Sequence, residues 1–212
     1  MLLNTGAYCP PHFGHFDALI NAKDFLENNF NYQILSIYLS PAQDVYLKYK
    51  AAKQGFQKFI LNFKERADML EWTKEYYEKN AEIIVDRWEG NQPFFIHFPN
   101  VWISLQYYLE KTLLEQGATE EIKVGFVVGD DMLQTQIDIT YKFLRLERIT
   151  YELPLIIYGR EETKPSALEQ RLEKYKSMPL QEMDQKKLYY VLDSEKQNYI
   201  SSSFVRNLIE ED

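Results

Sequence analysis

Residues 5–15 have the sequence Thr5-Gly6-Ala7-Tyr8-Cys9-Pro10-Pro11-His12-Phe13-Gly14-His15, directly after the short apolar start of the chain. This stretch combines a glycine that lets the backbone approach a ligand, a turn stiffened by proline, and two imidazoles three residues apart. Because such a turn leads into a helix whose N-terminal amides favour an anion, the stretch predicts a strand, a phosphate-binding turn and a helix in that order.

A second segment with related chemistry lies near the C-terminus. Residues 199–206 have the sequence Tyr199-Ile200-Ser201-Ser202-Ser203-Phe204-Val205-Arg206. Three hydroxyls and a guanidinium surround a predicted helix start, where amide groups and Arg206 can hold an anion from several sides. A serine N-cap would explain this segment without any ligand. The two segments together, however, indicate nucleotidyl transfer.

Apolar runs alternate with longer helical stretches along the chain, which predicts an α/β fold with a central parallel sheet and helices on both faces. We expect a strand just before Gly6 and further strands at residues 33–39, 81–85, 122–128, 153–158 and 188–192. We expect helices at residues 15–30, 58–80, 102–116 and 166–176. Residues 48–63 show no clean period and predict a mobile loop over the site. In such sheets ligands bind at the carboxyl ends of the strands, where the motifs lie.

Composition limits the class of protein. The chain has 212 residues with 45% hydrophobic content, which predicts one domain over residues 1–212. A net charge of −8 argues against a general nucleic-acid binder. The single cysteine, Cys9, rules out an internal disulfide and suits a reducing compartment. The sequence shows no signal peptide and no apolar run long enough for a membrane helix, so we expect a soluble, cytoplasmic protein.

The two segments resemble the motifs of the nucleotidylyltransferase superfamily. Its members have a His-x-Gly-His turn, here His12-Phe13-Gly14-His15, and a helix start here formed by Ile200-Ser201-Ser202-Ser203-Phe204-Val205-Arg206. This helix-start motif resembles that of nicotinamide/nicotinate mononucleotide adenylyltransferases rather than that of cytidylyltransferases. Three internal segments are also similar to those adenylyltransferases: Ser40-Pro41-Ala42-Gln43-Asp44-Val45-Tyr46-Leu47-Lys48, Val85-Asp86-Arg87-Trp88-Glu89 and Gly129-Asp130-Asp131-Met132-Leu133.

The resemblance implies a Rossmann-like nucleotidylyltransferase fold and a reaction. AMP would pass from ATP to the phosphate of nicotinamide or nicotinate mononucleotide, forming NAD or its deamido form and pyrophosphate. Since the attacking group is already an oxyanion, catalysis depends on in-line alignment and on neutralising charge. Mg²⁺ is implied as cofactor, held mainly by phosphates and water, with no protein ligand assigned. The expected partners are ATP and a pyridine mononucleotide, with neither nucleic acid nor membrane.

The resemblance also assigns roles to individual residues. The catalytic set is His15, His12 and Arg206, with His15 donating to the α-phosphate. Contacts with ATP and its phosphates are assigned to Gly6, Tyr8, Lys48, Gly129, Asp131, Arg160, Ser201, Ser202 and Ser203. Contacts with the mononucleotide are assigned to Trp88, Asp44 and Tyr46. Alternatives stay open: the two histidines could cap a helix or ligate zinc, Lys48 could be solvated, and Trp88 could be a core residue.

Two rival functions remain at the level of sequence. One is a pantetheine-phosphate adenylyltransferase with the same turn, against which the Val85–Glu89 segment argues. The other is a nucleotide-binding module that lost turnover. The chain keeps both turn histidines, and residues 134–148 offer only Tyr141 and Phe143 where related enzymes have a second tryptophan beside the base. The preference between nicotinamide and nicotinate is therefore open.

Overall fold

The computed structural model describes residues 1–117, 121–130, 153–159, 173, 175–192 and 200–210. The strands are β1 (Leu2–Gly6), β2 (Ile37–Pro41), β3 (Ile83–Val85), β4 (Gly125–Gly129), β5 (Leu155–Gly159) and β6 (Leu188–Leu192). The helices are α1 (Phe13–Asn29), α2 (Asp44–Gln54), α3 (Phe63–Lys74), α4 (Phe98–Glu115), α5 (Leu180–Lys186) and α6 (Ser202–Glu210), with a 3-10 turn at Gln57–Phe59.

The strands form one six-stranded parallel sheet in the order β3-β2-β1-β4-β5-β6. Leu2 of β1 is in register with Ile37 of β2 on one side and with Gly125 of β4 on the other. The order reverses between β1 and β4, and in sheets of this kind the ligand crevice opens at that point. The predicted α/β fold with a central parallel sheet is confirmed.

Helices cover both faces of the sheet. Phe126 of β4 stacks on Trp102 of α4, with ring centroids 5.2 Å apart, and is in register with Leu155 of β5. Tyr158 lies three residues after Leu155 and so points to the opposite face. There its hydroxyl accepts a hydrogen bond from Asn21 of α1 at 3.1 Å. The prediction of helices on both faces is confirmed, with α1 and α4 on opposite sides.

Strands β2 and β4 begin three or four residues later than the apolar runs that predicted them. The segment before β2 is held by α1, because the backbone N–H of Ile34 donates to the Glu27 carboxylate at 2.8 Å. The segment before β4 is held by α4, where the Gln106 side chain donates to the Ile122 carbonyl at 2.8 Å and accepts from the Val124 N–H at 2.7 Å. Side chains of neighbouring helices therefore satisfy backbone groups that the sequence suggested would join the sheet.

The predicted mobile loop at residues 48–63 is wrong over its first half, which continues α2. Leu47 and Ala51 lie one turn apart and are buried together with Cys9 and Phe56. The helix ends at Gly55, whose φ of 78° favours glycine. The sequence gives no clear helical period here, because the helix is short, has only two buried apolar residues and has lysines on its outer side.

The predicted helix at residues 58–80 is α3, which is shorter. Its start is fixed by a capping box, in which the Asn62 side chain accepts from the Glu65 N–H at 3.0 Å and the Glu65 carboxylate accepts from the Asn62 N–H at 2.7 Å. The predicted helix at 166–176 falls mostly on residues 166–172 and 174, which lie outside the described residues. Within the part of the chain that the structure describes, the helices are too short or too polar to cross a membrane.

Candidate active site

The two motif segments, almost two hundred residues apart in sequence, are in direct contact. The guanidinium of Arg206 donates from Nη1 to the Cys9 carbonyl at 2.6 Å, and the hydroxyl of Ser202 donates to the Pro10 carbonyl at 2.9 Å. The start of α6 is therefore bonded to the turn that follows β1. Both helix N-termini that the sequence associates with phosphate lie at the same edge of the sheet.

Gly14 permits this contact, a role that the sequence analysis did not assign. A Cβ atom at this position would lie 3.2 Å from the Ile200 carbonyl oxygen and 3.1 Å from Nδ1 of His12. Both distances are tighter than ordinary van der Waals contact, so a side chain would push the C-terminal segment away from α1. The glycine between the two histidines is the signal from which this close approach could have been anticipated.

His12 and His15 occupy the first turn of α1. His12 is the buried N-cap residue, and its backbone N–H donates to Nδ1 of His15 at 3.2 Å. The two rings are in contact, with centroids 3.7 Å apart and planes tilted by 31° to each other. Because Nδ1 of His15 accepts a hydrogen bond, the neutral ring carries its proton on Nε2. His15 is half-buried and can present that N–H as a donor.

The Tyr8 side chain is buried beneath the ring of His15 and is not exposed to solvent. Its ring is 1% exposed and meets the ring of His15 edge to face at a centroid distance of 4.7 Å. Its hydroxyl donates to the Asn4 carbonyl at 3.0 Å and also contacts the Asn4 side chain. Burial, and secondarily the nearby Glu89 carboxyl, raises the pKa of the Tyr8 hydroxyl well above its usual value. The structure places Tyr8 as a support for His15.

Arg206 is enclosed between the turn and Phe56, which follows the end of α2. It is 9% exposed, its guanidinium lies 3.9 Å from the centroid of the Phe56 ring, and it donates from Nη2 to the Ser203 hydroxyl at 2.9 Å. Burial lowers the pKa of the guanidinium, which nevertheless stays charged because arginine is protonated in proteins. The Ser201 hydroxyl accepts from the Phe204 N–H at 3.1 Å, as an N-cap does.

A cavity of about 510 Å³ opens beside this turn, at the carboxyl ends of β1 and β4. Its walls are mostly apolar or aromatic: Asn4, Thr5, Gly6, Ala42, Val45, Tyr46, Tyr49, Glu89, Phe95, Ile96, His97, Phe98, Phe126, Val128 and Gly129. Tyr46 and Phe95 stack on each other at 5.1 Å. A pocket of this size with aromatic walls and few polar groups suits a planar organic ligand.

Glu89 is the buried carboxyl of this cavity and was missed as a site residue. It is 3% exposed, and one of its oxygens accepts a hydrogen bond from the Ser40 hydroxyl at 3.1 Å. Loss of solvent on burial raises the pKa of Glu89 to about 8, with the neighbouring Asp86 adding to the rise. The available signal was a glutamate four residues after the end of the predicted strand, within the Val85–Glu89 segment itself.

Asp44 forms an ion pair that the sequence did not suggest. Its carboxylate accepts from Nη2 of Arg66 at 2.8 Å, and the Arg66 side chain has no exposed surface. Arg66 also donates to the carbonyls of Leu61, Ala7 and Ala42 at 3.2, 2.8 and 2.6 Å. The turns after β1 and β2 are thus tied to α3 by one guanidinium. The signal was an arginine beside Ala67 and Leu70 on the apolar face of α3.

The remaining predicted residues are more scattered. Lys48 is exposed on α2, and Trp88 is 43% exposed and is not among the cavity-lining residues. Tyr46, Gly6 and Gly129 do line the cavity. Asp131 and Arg160 lie outside the described residues. Among the residues that are described, no group of three or more histidine, cysteine or carboxylate side chains is placed to hold a metal ion.

Comparison with known protein families gives a match to the family described as cytidylyltransferase-like, over residues 3–208. The matched range contains the turn after β1, the cavity and the first turns of α6. A search of curated proteins finds no significant match.

Proposed function

The chain belongs to the cytidylyltransferase-like family, which supports nucleotidyl transfer in general, and on that premise we propose a specific reaction. The protein is an adenylyltransferase that moves AMP from ATP to the phosphate of nicotinamide or nicotinate mononucleotide. The products are NAD, or its deamido form, and pyrophosphate. The acceptor is inferred from the internal segments at residues 40–48, 85–89 and 129–133 and from the aromatic cavity.

One observation carries the proposal: the two phosphate-type motifs are hydrogen-bonded to each other at the turn after β1, which is adjacent to that cavity. Arg206 and Ser202 bond to the carbonyls of Cys9 and Pro10, and Gly6, which precedes this turn, lines the cavity. A phosphate-rich group at the helix N-termini and a planar base in the cavity would then be adjacent. A reaction that joins two mononucleotides needs that juxtaposition.

The groups present suit the charge that develops in the reaction. The N-terminal amides of α1 and the Nε2 proton of His15 would donate to the α-phosphate as it becomes pentavalent. Arg206 and the serines of α6 would hold the β- and γ-phosphates, which leave as pyrophosphate. Tyr8 would keep the His15 ring in place. The acceptor phosphate is already ionised, so the scheme requires no base.

Mg²⁺ would enter as the complex with ATP. When bound, it would reduce the charge of the leaving pyrophosphate. Among the described residues, imidazole, guanidinium, hydroxyl and amide groups surround the turn. The carboxylates of Asp44 and Glu89 are engaged with Arg66 and Ser40, respectively. These groups fit an ion that is carried in by the substrate.

The test is pyrophosphate release from ATP and Mg²⁺. Nicotinamide mononucleotide, nicotinate mononucleotide and 4′-phosphopantetheine are offered in separate reactions. Release with either mononucleotide supports the proposal. Release with phosphopantetheine alone would favour the rival adenylyltransferase, and ATP binding without any release would favour the inactive nucleotide-binding module.

The Arg206→Ala variant tests the contribution of α6. We expect KM for ATP to rise roughly ten- to a hundredfold, because a hydrogen bond to a charged group contributes about 1.5 to 3 kcal/mol. Steady-state kinetics at varied ATP measures this rise. Arg87→Ala is the matched control, because Arg87 is paired with Asp68 on the surface. An unchanged KM for ATP in Arg206→Ala would remove this residue from the proposed site.

A further inference from the structure

We propose that the carboxyl of Glu89 reads the substituent of the pyridine base and makes the enzyme select nicotinamide over nicotinate when that carboxyl is ionised. This inference rests on the proposed function and deepens it, since it names the residue that sets the base preference. It places the pyridine base in the cavity lined by Glu89 instead of beside Trp88, the partner predicted from sequence.

The position of Glu89 supports this assignment. It is 3% exposed, yet it lines a cavity of about 510 Å³ whose other walls include Tyr46, Phe95 and Phe126. A carboxyl among aromatic rings is an unusual wall for an apolar pocket, because burying an ionisable group is costly unless it has a partner or a use. The partly exposed rings of Tyr46 and Phe95 can lie against a flat cationic base, and the carboxyl offers one polar contact at its edge.

The carboxyl is also oriented by fixed neighbours. Ser40 is fully buried near the end of β2, and its single hydroxyl proton can be donated either to Glu89, at 3.1 Å, or to Asp86, at 2.9 Å. The residue that follows Glu89, Gly90, is packed directly against the Phe63 ring at the start of α3. The backbone next to Glu89 is therefore fixed by α3, and its carboxyl is oriented by the Ser40 hydroxyl of β2.

The chemistry of the two bases differs at the one group that Glu89 can contact. Nicotinamide has a carboxamide whose N–H groups can donate to a carboxylate. Nicotinate has a carboxylate, which an ionised Glu89 would repel and which a protonated Glu89 could bind by donating its proton. Like charges in a site with restricted solvent strongly disfavour each other. Selection should therefore depend on the protonation state of Glu89.

Several charged or titratable groups face Glu89 and must be considered together. Asp86, in the turn after β3, disfavours ionisation, whereas Arg66 of α3 favours it. Tyr8 lies close to Glu89 on the side of β1 and stays protonated, because its pKa is raised. His97 also lines the cavity. These groups remain in a Glu89→Gln variant, so any pH dependence that the substitution removes belongs to Glu89.

The experiment is calorimetric titration of the full chain with each mononucleotide, without ATP, between about pH 7 and about pH 9. With a pKa near 8, the protonated fraction of Glu89 falls about tenfold over that range. We expect the ratio of Kd for nicotinate mononucleotide to Kd for nicotinamide mononucleotide to rise by at least this factor, and by up to about a hundredfold if nicotinamide mononucleotide binds only the ionised form. In Glu89→Gln, which resembles the protonated form, the ratio should not change with pH. Glu82→Gln, an exposed glutamate just before β3, is the matched control and should behave as the parent.

A second variant covers the case in which Glu89→Gln does not fold. Ser40→Ala removes the hydrogen bond that favours the ionised form, so the midpoint of the pH-dependent ratio should move upward. A ratio that is flat in the parent chain, or equally pH-dependent in Glu89→Gln, would overturn the assignment, as would failure of both mononucleotides to bind. Binding with the expected ratio but no pyrophosphate release would instead contradict only the proposed reaction.

Discussion

Replacing His15 with alanine is expected to lower kcat for pyrophosphate release by roughly a hundred- to a thousandfold while the protein stays folded. That is the size of effect seen when one preorganised donor to a developing oxyanion is removed. His15 is half-buried at the first turn of α1, so truncating it removes ring contacts with His12 and Tyr8 but leaves the core of the sheet unchanged. Single-turnover kinetics with saturating ATP and mononucleotide measures the chemical step directly.

Two further substitutions separate the two nitrogens of the ring. An asparagine at position 15 can replace Nδ1 as acceptor from the His12 N–H but places no donor at the position of Nε2. A glutamine reaches the position of Nε2 with an N–H group. We expect His15→Asn to be as slow as His15→Ala and His15→Gln to recover part of the rate.

The comparison distinguishes a donor from a helix cap. If the imidazole served only to cap α1, asparagine would restore activity and glutamine would not, and thermal stability would follow the same order. Near-normal turnover in His15→Ala would remove the central element of the proposed mechanism. Circular dichroism of each variant provides the control for folding.

The parallel sheet and the two helix starts could be predicted from sequence because their signals are local. A strand, a glycine-containing turn and a helix start are adjacent around Gly6, and the serines before α6 are a local capping pattern. The direct contact between the two segments depends on Gly14, whose small size matters only once the Ile200 carbonyl lies above it. The sequence shows that position 14 is a glycine, but the contact that requires a glycine there is made by Ile200, which is distant in sequence.

The parts of the site that sequence missed are long-range and polar. Glu89 is bonded to Ser40, forty-nine positions earlier, and Arg66 is bonded to Ala7, fifty-nine positions earlier. Periodicity treats a charged residue as solvent-facing and so gives no indication of burial for either. Asp44 illustrates the consequence: a motif match assigned it to the mononucleotide, while the structure pairs it with Arg66. Tyr8, which the motif match assigned to ATP, is packed beneath the ring of His15.

Replacing Arg66 with methionine is expected to lower the free energy of unfolding by about 3 to 5 kcal/mol, because three backbone carbonyls lose a buried donor and each unsatisfied group costs about 1 to 3 kcal/mol. Methionine has similar length and fills the space of the aliphatic stem, so lost packing contributes little. The loss comes mainly from the carbonyls of Leu61, Ala7 and Ala42, because their donor, the Arg66 side chain, has no exposed surface. Asp44 contributes less, since 36% of its side chain is exposed to water. Equilibrium unfolding in urea measures the difference.

The matched control is Arg87→Met, because Arg87 also pairs with a carboxylate but at the surface, with 40% of its side chain exposed. Exposed pairs stabilise little, so its unfolding midpoint should stay close to that of the parent. Arg66→Lys should lie between the two, since one ammonium cannot reach carbonyls that the guanidinium fork spans. Because Arg66 fixes the turns after β1 and β2, we also expect residual activity in Arg66→Met to fall more than stability alone predicts. Equal losses for Arg66→Met and Arg87→Met would show that the turns are held by the sheet and not by this guanidinium.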